Sequence, residues 1–203
     1  MCIRDRFRLG AAGAGSCNLS HGTAEASVSG YMDDSDPSNI DALGHRSWCV
    51  FPSLKKTGFG ASARMTAMHT MDRSGAFPKK LEVVCYPPAG YVPRGWFGPR
   101  HAWSVWVIKG YDPPDPSAVR VTLEPVGADF LPSGDALAFD HEKTGTAGYG
   151  IKHRVVFRPR NLDVSAGRRY RVTINGLTRR GREAPLVYYV AFYESPHAPR
   201  VPR

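Results

Sequence analysis

Apolar and polar positions along this 203-residue chain follow two rhythms, helical early and strand-like later. In residues 23–33, Ala24, Val28, Tyr31 and Met32 fall at i, i+4, i+7 and i+8, one face of an α-helix. Thr23 is placed to cap that helix, and Glu25 suits its positive end. The acidic, Pro-containing run 33–37 ends it. The Gly/Ala-rich residues 7–16 show no clear period and read as a loop or the tail of an element. Residues 39–52 are compact, with Trp48, Val50 and Phe51 as core candidates. A Gly-marked turn then leads to an expected strand over 63–71 and another over 81–85.

Residues 86–93 carry three prolines, which predicts a stiff, extended connector and a domain boundary. Beyond it, Trp103, Val105 and Val107 alternate with Ser104, Trp106 and Ile108, so a strand over 102–109 has two largely apolar faces. Residues 118–124 alternate cleanly, with Val119, Val121 and Leu123 on one face. Strands over 153–158, 170–175 and 186–193 complete the set. Strands with turn punctuation and no convincing helix predict an antiparallel sandwich. Residues 162–172 resemble the entry to a late strand of immunoglobulin and fibronectin-III folds, where a corner tyrosine, here Tyr170, bonds a nearby backbone group.

Composition is that of an ordinary globular protein, 42% hydrophobic and 22% charged, with Gly and Pro spread along the chain. No apolar run is long enough to span a membrane as a helix. The net charge of +9 is uneven: residues 1–90 hold 10 basic and 8 acidic side chains, residues 91–203 hold 17 and 10. A basic second half attracts anionic partners such as acidic polysaccharide or lipid headgroups, although solubility alone is the simpler account. No zinc-finger spacing, basic heptad helix or aromatic RNA-binding signature is present, so nucleic acid is not expected as a partner. The four cysteines, Cys2, Cys17, Cys49 and Cys85, form no CxxC pair. Residues 1–6 (MCIRDR) read as a sequencing or assembly scar, which implies that the natural chain continues upstream.

The segment from Asn39 to Gly60, with Gly44-His45-Arg46, then Phe51-Pro52, then Gly58-Phe59-Gly60, resembles the signature of bacterial CAP domains. That superfamily includes cysteine-rich secretory, antigen 5 and pathogenesis-related proteins. Asn18-Leu19 resembles its Asn-Leu/Ile segment, and Gly30 to Asp34 its Trp-containing helix end. Met68 to Arg73 and the Pro-rich stretch resemble the subgroup with a C-terminal β-domain. The resemblance covers about residues 15–93.

The resemblance implies a truncated CAP α-β-α sandwich over 7–86; with the proline and strand patterns the expectation is an α+β protein, with a linker over 87–98, an immunoglobulin- or fibronectin-III-like antiparallel β-sandwich over 99–197, and a tail over 198–203. It implies a cleft holding His45, Asp34, Asn18 and Arg46. His45 stands at the second cleft histidine and Asp34 at an acidic position three residues after Tyr31. Cys17 stands where the family has its first acidic residue. Some members bind zinc or another divalent ion, for which His45 and Asp34 are the visible candidates, although a zinc site takes three or four ligands. The plainer alternative has His45 ordering the turn at residues 44–48 and Arg46 pairing with a local carboxylate. Cys17 and Cys49 both flank the implied cleft, so a disulfide between them is a candidate.

Other chemistry finds less support. Ser16, Ser20 and His21 lie close in sequence, but no G-x-S-x-G elbow accompanies them. Cys17 or Cys49 with His45 imitates a Cys–His pair, yet a structural thiol is the simpler reading. His69 and His101 read as packing or surface residues, and Gly58-Phe59-Gly60 as a turn into a strand rather than a phosphate loop. Trp96, Phe97, Trp103 and Trp106 form an aromatic cluster expected to fill an interdomain core rather than bind sugar or lipid. The expectation is a secreted or cell-surface binding module for a small molecule, lipid, polysaccharide or divalent ion, more than an enzyme. A metal-assisted hydrolase or peptidase using His45 and Asp34, and a structural matrix-associated protein, are the alternatives.

Overall fold

The computed structural model describes residues 3–197 and has a β-rich α+β fold with several antiparallel sheets. It divides into two compact units. The first comprises residues up to Asp34 together with Leu43–Lys79, and the second comprises Ser35–Ala42 with residues from Lys80 onward. The chain therefore passes into the second unit after Asp34 and returns at Leu43.

The first unit opens with α1 (Ile3–Ala14); of the two readings of 7–16, a loop or the tail of an element, residues 7–14 are the end of this helix. Arg, Leu and Ala favour helix, and Ile3, Phe7, Ala11 and Ala14 recur at helical spacing once residues 3–6 are counted with the rest. Of the residues read as a scar, Met1 and Cys2 lie outside the described residues, and the rest begin this helix. Strand β1 (Cys17–His21) follows, then α2 (Ala24–Asp33), capped by Thr23 through a bond from the Ala26 N–H. The short helix α3 (Gly44–Cys49) precedes β2 (Phe59–Ala61) and β3 (Met65–His69). The three strands form one antiparallel sheet in the order β1-β3-β2. Tyr31 of α2 is buried, and its hydroxyl donates toward Asn18 O at 3.0 Å and Thr66 O at 3.3 Å, which ties the helix to β1 and β3.

The second unit contains β4 (Val83–Tyr86), β5 (Gly90–Pro93), a 3-10 turn at Arg94–Trp96, β6 (Trp103–Val107), β7 (Arg120–Val126) and β8 (Phe139–Thr146). It continues through β9 (His153–Pro159), β10 (Arg169–Asn175), the short pair β11 (Thr178–Arg179) and β12 (Arg182–Glu183), and β13 (Leu186–Tyr193). Two four-stranded sheets, β4-β6-β9-β8 and β5-β13-β10-β7, contribute side chains to one apolar core. Trp103, Phe157, Val172, Val190 and Phe192 are among its fully buried members.

The expected connector over 87–98 is a correction. It carries β5, which pairs in parallel with β13, and it belongs to the second unit. Proline is tolerated there because β5 is an edge strand. The aromatic cluster also divides. Phe97 and Trp103 lie in the second unit's own core and Trp106 is buried, whereas Trp96 is 57% exposed. Strand β6 is buried along its whole length, as its doubly apolar pattern predicts. Tyr170 donates to Asp163 O at 2.7 Å while its ring packs in the core, the bond expected of a corner tyrosine. Segment Ser35–Ala42 is held by Ala102 N–H donating to Ser35 Oγ (2.8 Å), Arg158 to Ser35 O (3.1 Å) and Arg154 Nε to Asp41 O (2.7 Å). Residues 198–203, expected as a tail, lie outside the described residues.

Candidate functional site

Four residues singled out in the sequence, Asn18, Asp34, His45 and Arg46, meet in the first unit from three elements. Asp34 caps the C-terminus of α2 in a left-handed conformation (φ 46°), its N–H donating to Gly30 O. Aspartate tolerates this conformation better than most residues with a Cβ. Leu43, also left-handed (φ 47°), leads into α3. These two turns bracket Ser35–Ala42 and bring the end of α2 beside the start of α3.

His45 Nδ1 lies 2.8 Å from Asp34 Oδ1, and the Arg46 N–H donates to Asp34 Oδ2 at 3.3 Å. The carboxylate is buried, with 2% of its side chain exposed, while the imidazole is 33% exposed. A carboxylate at Nδ1 selects the tautomer with its proton there, which makes Nε2 the basic nitrogen of the neutral ring. The Tyr31 ring stacks on the imidazole at 5.7 Å. The site is thus a fixed imidazole presented to solvent by a buried carboxylate.

Asn18 and Arg46 support this pair from inside. Asn18 is buried and donates from Nδ2 to His45 O (2.9 Å) and to Cys49 Sγ (3.3 Å). Arg46 is fully buried, and its guanidinium donates to Met32 O (2.6 Å) and Asp33 O, carbonyls at the C-terminal end of α2. Positive charge at a helix C-terminus is stabilising. Both residues were expected as cleft residues, and burial assigns them to positioning instead. Two bonds of the Arg46 guanidinium run to these carbonyls, and His45 is tied to the end of α2 through Asp34.

Cys17 and Cys49 are free thiols, so the bridge considered between them is absent. Cys17 Sγ donates to Gly13 O, while Cys49 accepts from Asn18. Burial pushes the Cys49 thiol up to about 11, which keeps it protonated at neutral pH and unsuited to nucleophilic attack. Ser16 and Ser20 are bonded to Ala12 O and Thr66 Oγ1, and His21 is exposed. No nucleophile–base arrangement joins them.

The zinc expectation does not fit the residues present. Asp34 Oδ1 is bonded to the imidazole and Oδ2 to a backbone N–H, so the carboxylate orients His45 rather than sharing an ion with it. Among the described residues no group of three or more His, Cys, Asp or Glu side chains is placed to hold a metal ion. Among those residues, too, no helix is long and apolar enough to cross a membrane. Known proteins supply no further guide: no family model matches the chain, and no curated protein or solved structure matches it.

Proposed function

We propose that the first unit is a partial CAP-superfamily domain acting as an extracellular binding module, with the Asp34–His45 pair as the polar contact for a small molecule or lipid. The second unit, in this reading, is an immunoglobulin- or fibronectin-III-like sandwich that docks the protein to a cell surface. The observation that carries the reading is the buried Asp34 carboxylate at 2.8 Å from a partly exposed imidazole, on the residues that the CAP resemblance picks out. The Tyr170 corner bond supports the assignment of the second unit. A metal-assisted hydrolase needs Asp34 as a ligand, and its bonds to His45 and Arg46 argue against that role.

Calorimetric titration with oleate and, separately, with zinc chloride tests the proposal. Saturable oleate binding that falls at least tenfold in His45→Gln and in Asp34→Asn supports it. Oleate binding unchanged in both variants, no oleate binding, or tight zinc binding dependent on both residues overturns it.

A further inference from the structure

The second unit carries an open pocket of about 430 Å³ at the ends of β8 and β9, lined by Pro99, Arg100, Asp140, Arg158, Pro159 and Arg160. Asn161 completes the lining and holds a left-handed backbone (φ 52°). The register between β8 and β9 shifts here. Phe139 pairs with Pro159 and His141 with Arg158, which leaves Asp140 as the extra residue of a β-bulge. Bulges re-aim side chains and concentrate at sheet edges and binding sites. This one lies on an edge strand and sets Asp140 Oδ1 2.7 Å from Arg158 Nε.

That pairing fixes Arg158, which also donates to Ser35 O, and neutralises one of the three arginines. Arg100 and Arg160 are exposed, and among the described residues neither side chain has an ion-pair or hydrogen-bond partner. The pocket therefore keeps an excess of two positive charges, on planar forks suited to bidentate binding of a carboxylate. Asp140 changes which anion fits. A carboxylate inside the rim disfavours a doubly charged phosphate, but it accepts hydroxyl donors, as does the Asn161 amide oxygen. A singly charged group on a hydroxyl-rich ring matches both features. Apart from Pro99 and Pro159 the lining is polar, so it offers no large apolar side chain for insertion into a bilayer.

We propose that this pocket binds the carboxylate-bearing sugar units of an acidic polysaccharide through Arg100 and Arg160, with Arg158–Asp140 as its fixed floor. The site is independent of the Asp34–His45 pair.

The test is calorimetric titration of the full chain with tetragalacturonate at low salt, in the wild type and in two charge-matched variants. The first, Arg100→Gln with Arg160→Gln, removes the unpaired forks. The second, Arg120→Gln with Arg169→Gln, removes two charges from the other sheet. The expected result is at least a tenfold loss of affinity in the first variant, less than a twofold change in the second, and weaker wild-type binding as salt is raised. A neutral oligosaccharide of the same length is expected not to bind. Equal loss in both variants would assign binding to bulk charge. That result, equal binding of the neutral oligosaccharide, binding of phosphatidylglycerol vesicles alone, or no binding at all overturns the proposal. The thermal midpoint of each variant separates lost binding from lost folding; it is expected to stay close to the wild type, because Arg120 and Arg169 donate only to carbonyls one and two residues away.

Discussion

At the scale of single residues, the arrangement around His45 depends on buried polar groups that bond to one another and to backbone. Asp34 is the clearest. Replacing it with Ala removes the acceptor for the buried Arg46 N–H and for His45 Nδ1, a loss expected to cost about 1–3 kcal/mol. Urea unfolding of Asp34→Ala should show a lower midpoint with an unchanged slope. Tyr170→Phe keeps the ring in the core and deletes only the bond to Asp163 O, so its cost should be near 1 kcal/mol by the same measurement. The thiols give a pH dependence. Burial raises Cys49 to about 11 and Cys85 to about 12, so folding favours their protonated forms. Their contribution to stability is complete below the unfolded thiol value of about 8.5 and is lost as pH climbs through the folded values. At pH 8, iodoacetamide should therefore modify native Cys49 and Cys85 slowly, and denaturation should release both, as peptide mass mapping would record.

At the scale of elements, what the sequence revealed and what it hid follow from how local each signal is. Helix α2 was legible from its apolar stripe and from Thr23, and β6 from its doubly apolar run. Gly44-His45-Arg46 was legible as a motif, yet that Asn18 and Arg46 are buried supports could be seen only after folding. Helix α1 escaped because reading residues 1–6 as a scar dropped Ile3 from the row it forms with Phe7, Ala11 and Ala14 (i, i+4, i+8, i+11) and left a Gly-rich remainder. Strand β8 escaped because Phe139-Asp140-His141-Glu142-Lys143 is a polar edge strand with no clean alternation. Strand β5 was hidden because its partner, β13, lies about a hundred residues away. Turns carry sharper demands than their composition suggests. Gly176, just beyond β10, has φ 76°, and a Cβ there would meet Ala118 O at 2.2 Å. Gly176→Ala should lower stability by more than about 2 kcal/mol, through backbone strain and displacement together. Thermal melting monitored by near-UV circular dichroism would show it.

At the scale of the whole molecule, sequence order and structural units do not coincide. Ser35–Ala42 belongs with strands that begin more than forty residues later, and Asp34 and Leu43 mark the two crossings. A chain starting at Lys80 lacks Ser35 Oγ and Asp41 O, the acceptors for the Ala102 N–H and Arg154 Nε. Each lost partner leaves a buried donor and costs about 1–3 kcal/mol, so this shortened chain should melt below the full chain. The functional account rests on one pair of residues, and the measurement that tests it most directly is site-resolved. The imidazole ¹⁵N signals of His45, assigned by their loss in His45→Gln, can be followed through an oleate titration of the full chain. The account predicts a saturable shift of the Nε2 signal in the wild type, and none in Asp34→Asn at the same ligand concentrations. Signals that stay fixed while oleate binds would place the ligand elsewhere and contradict the account.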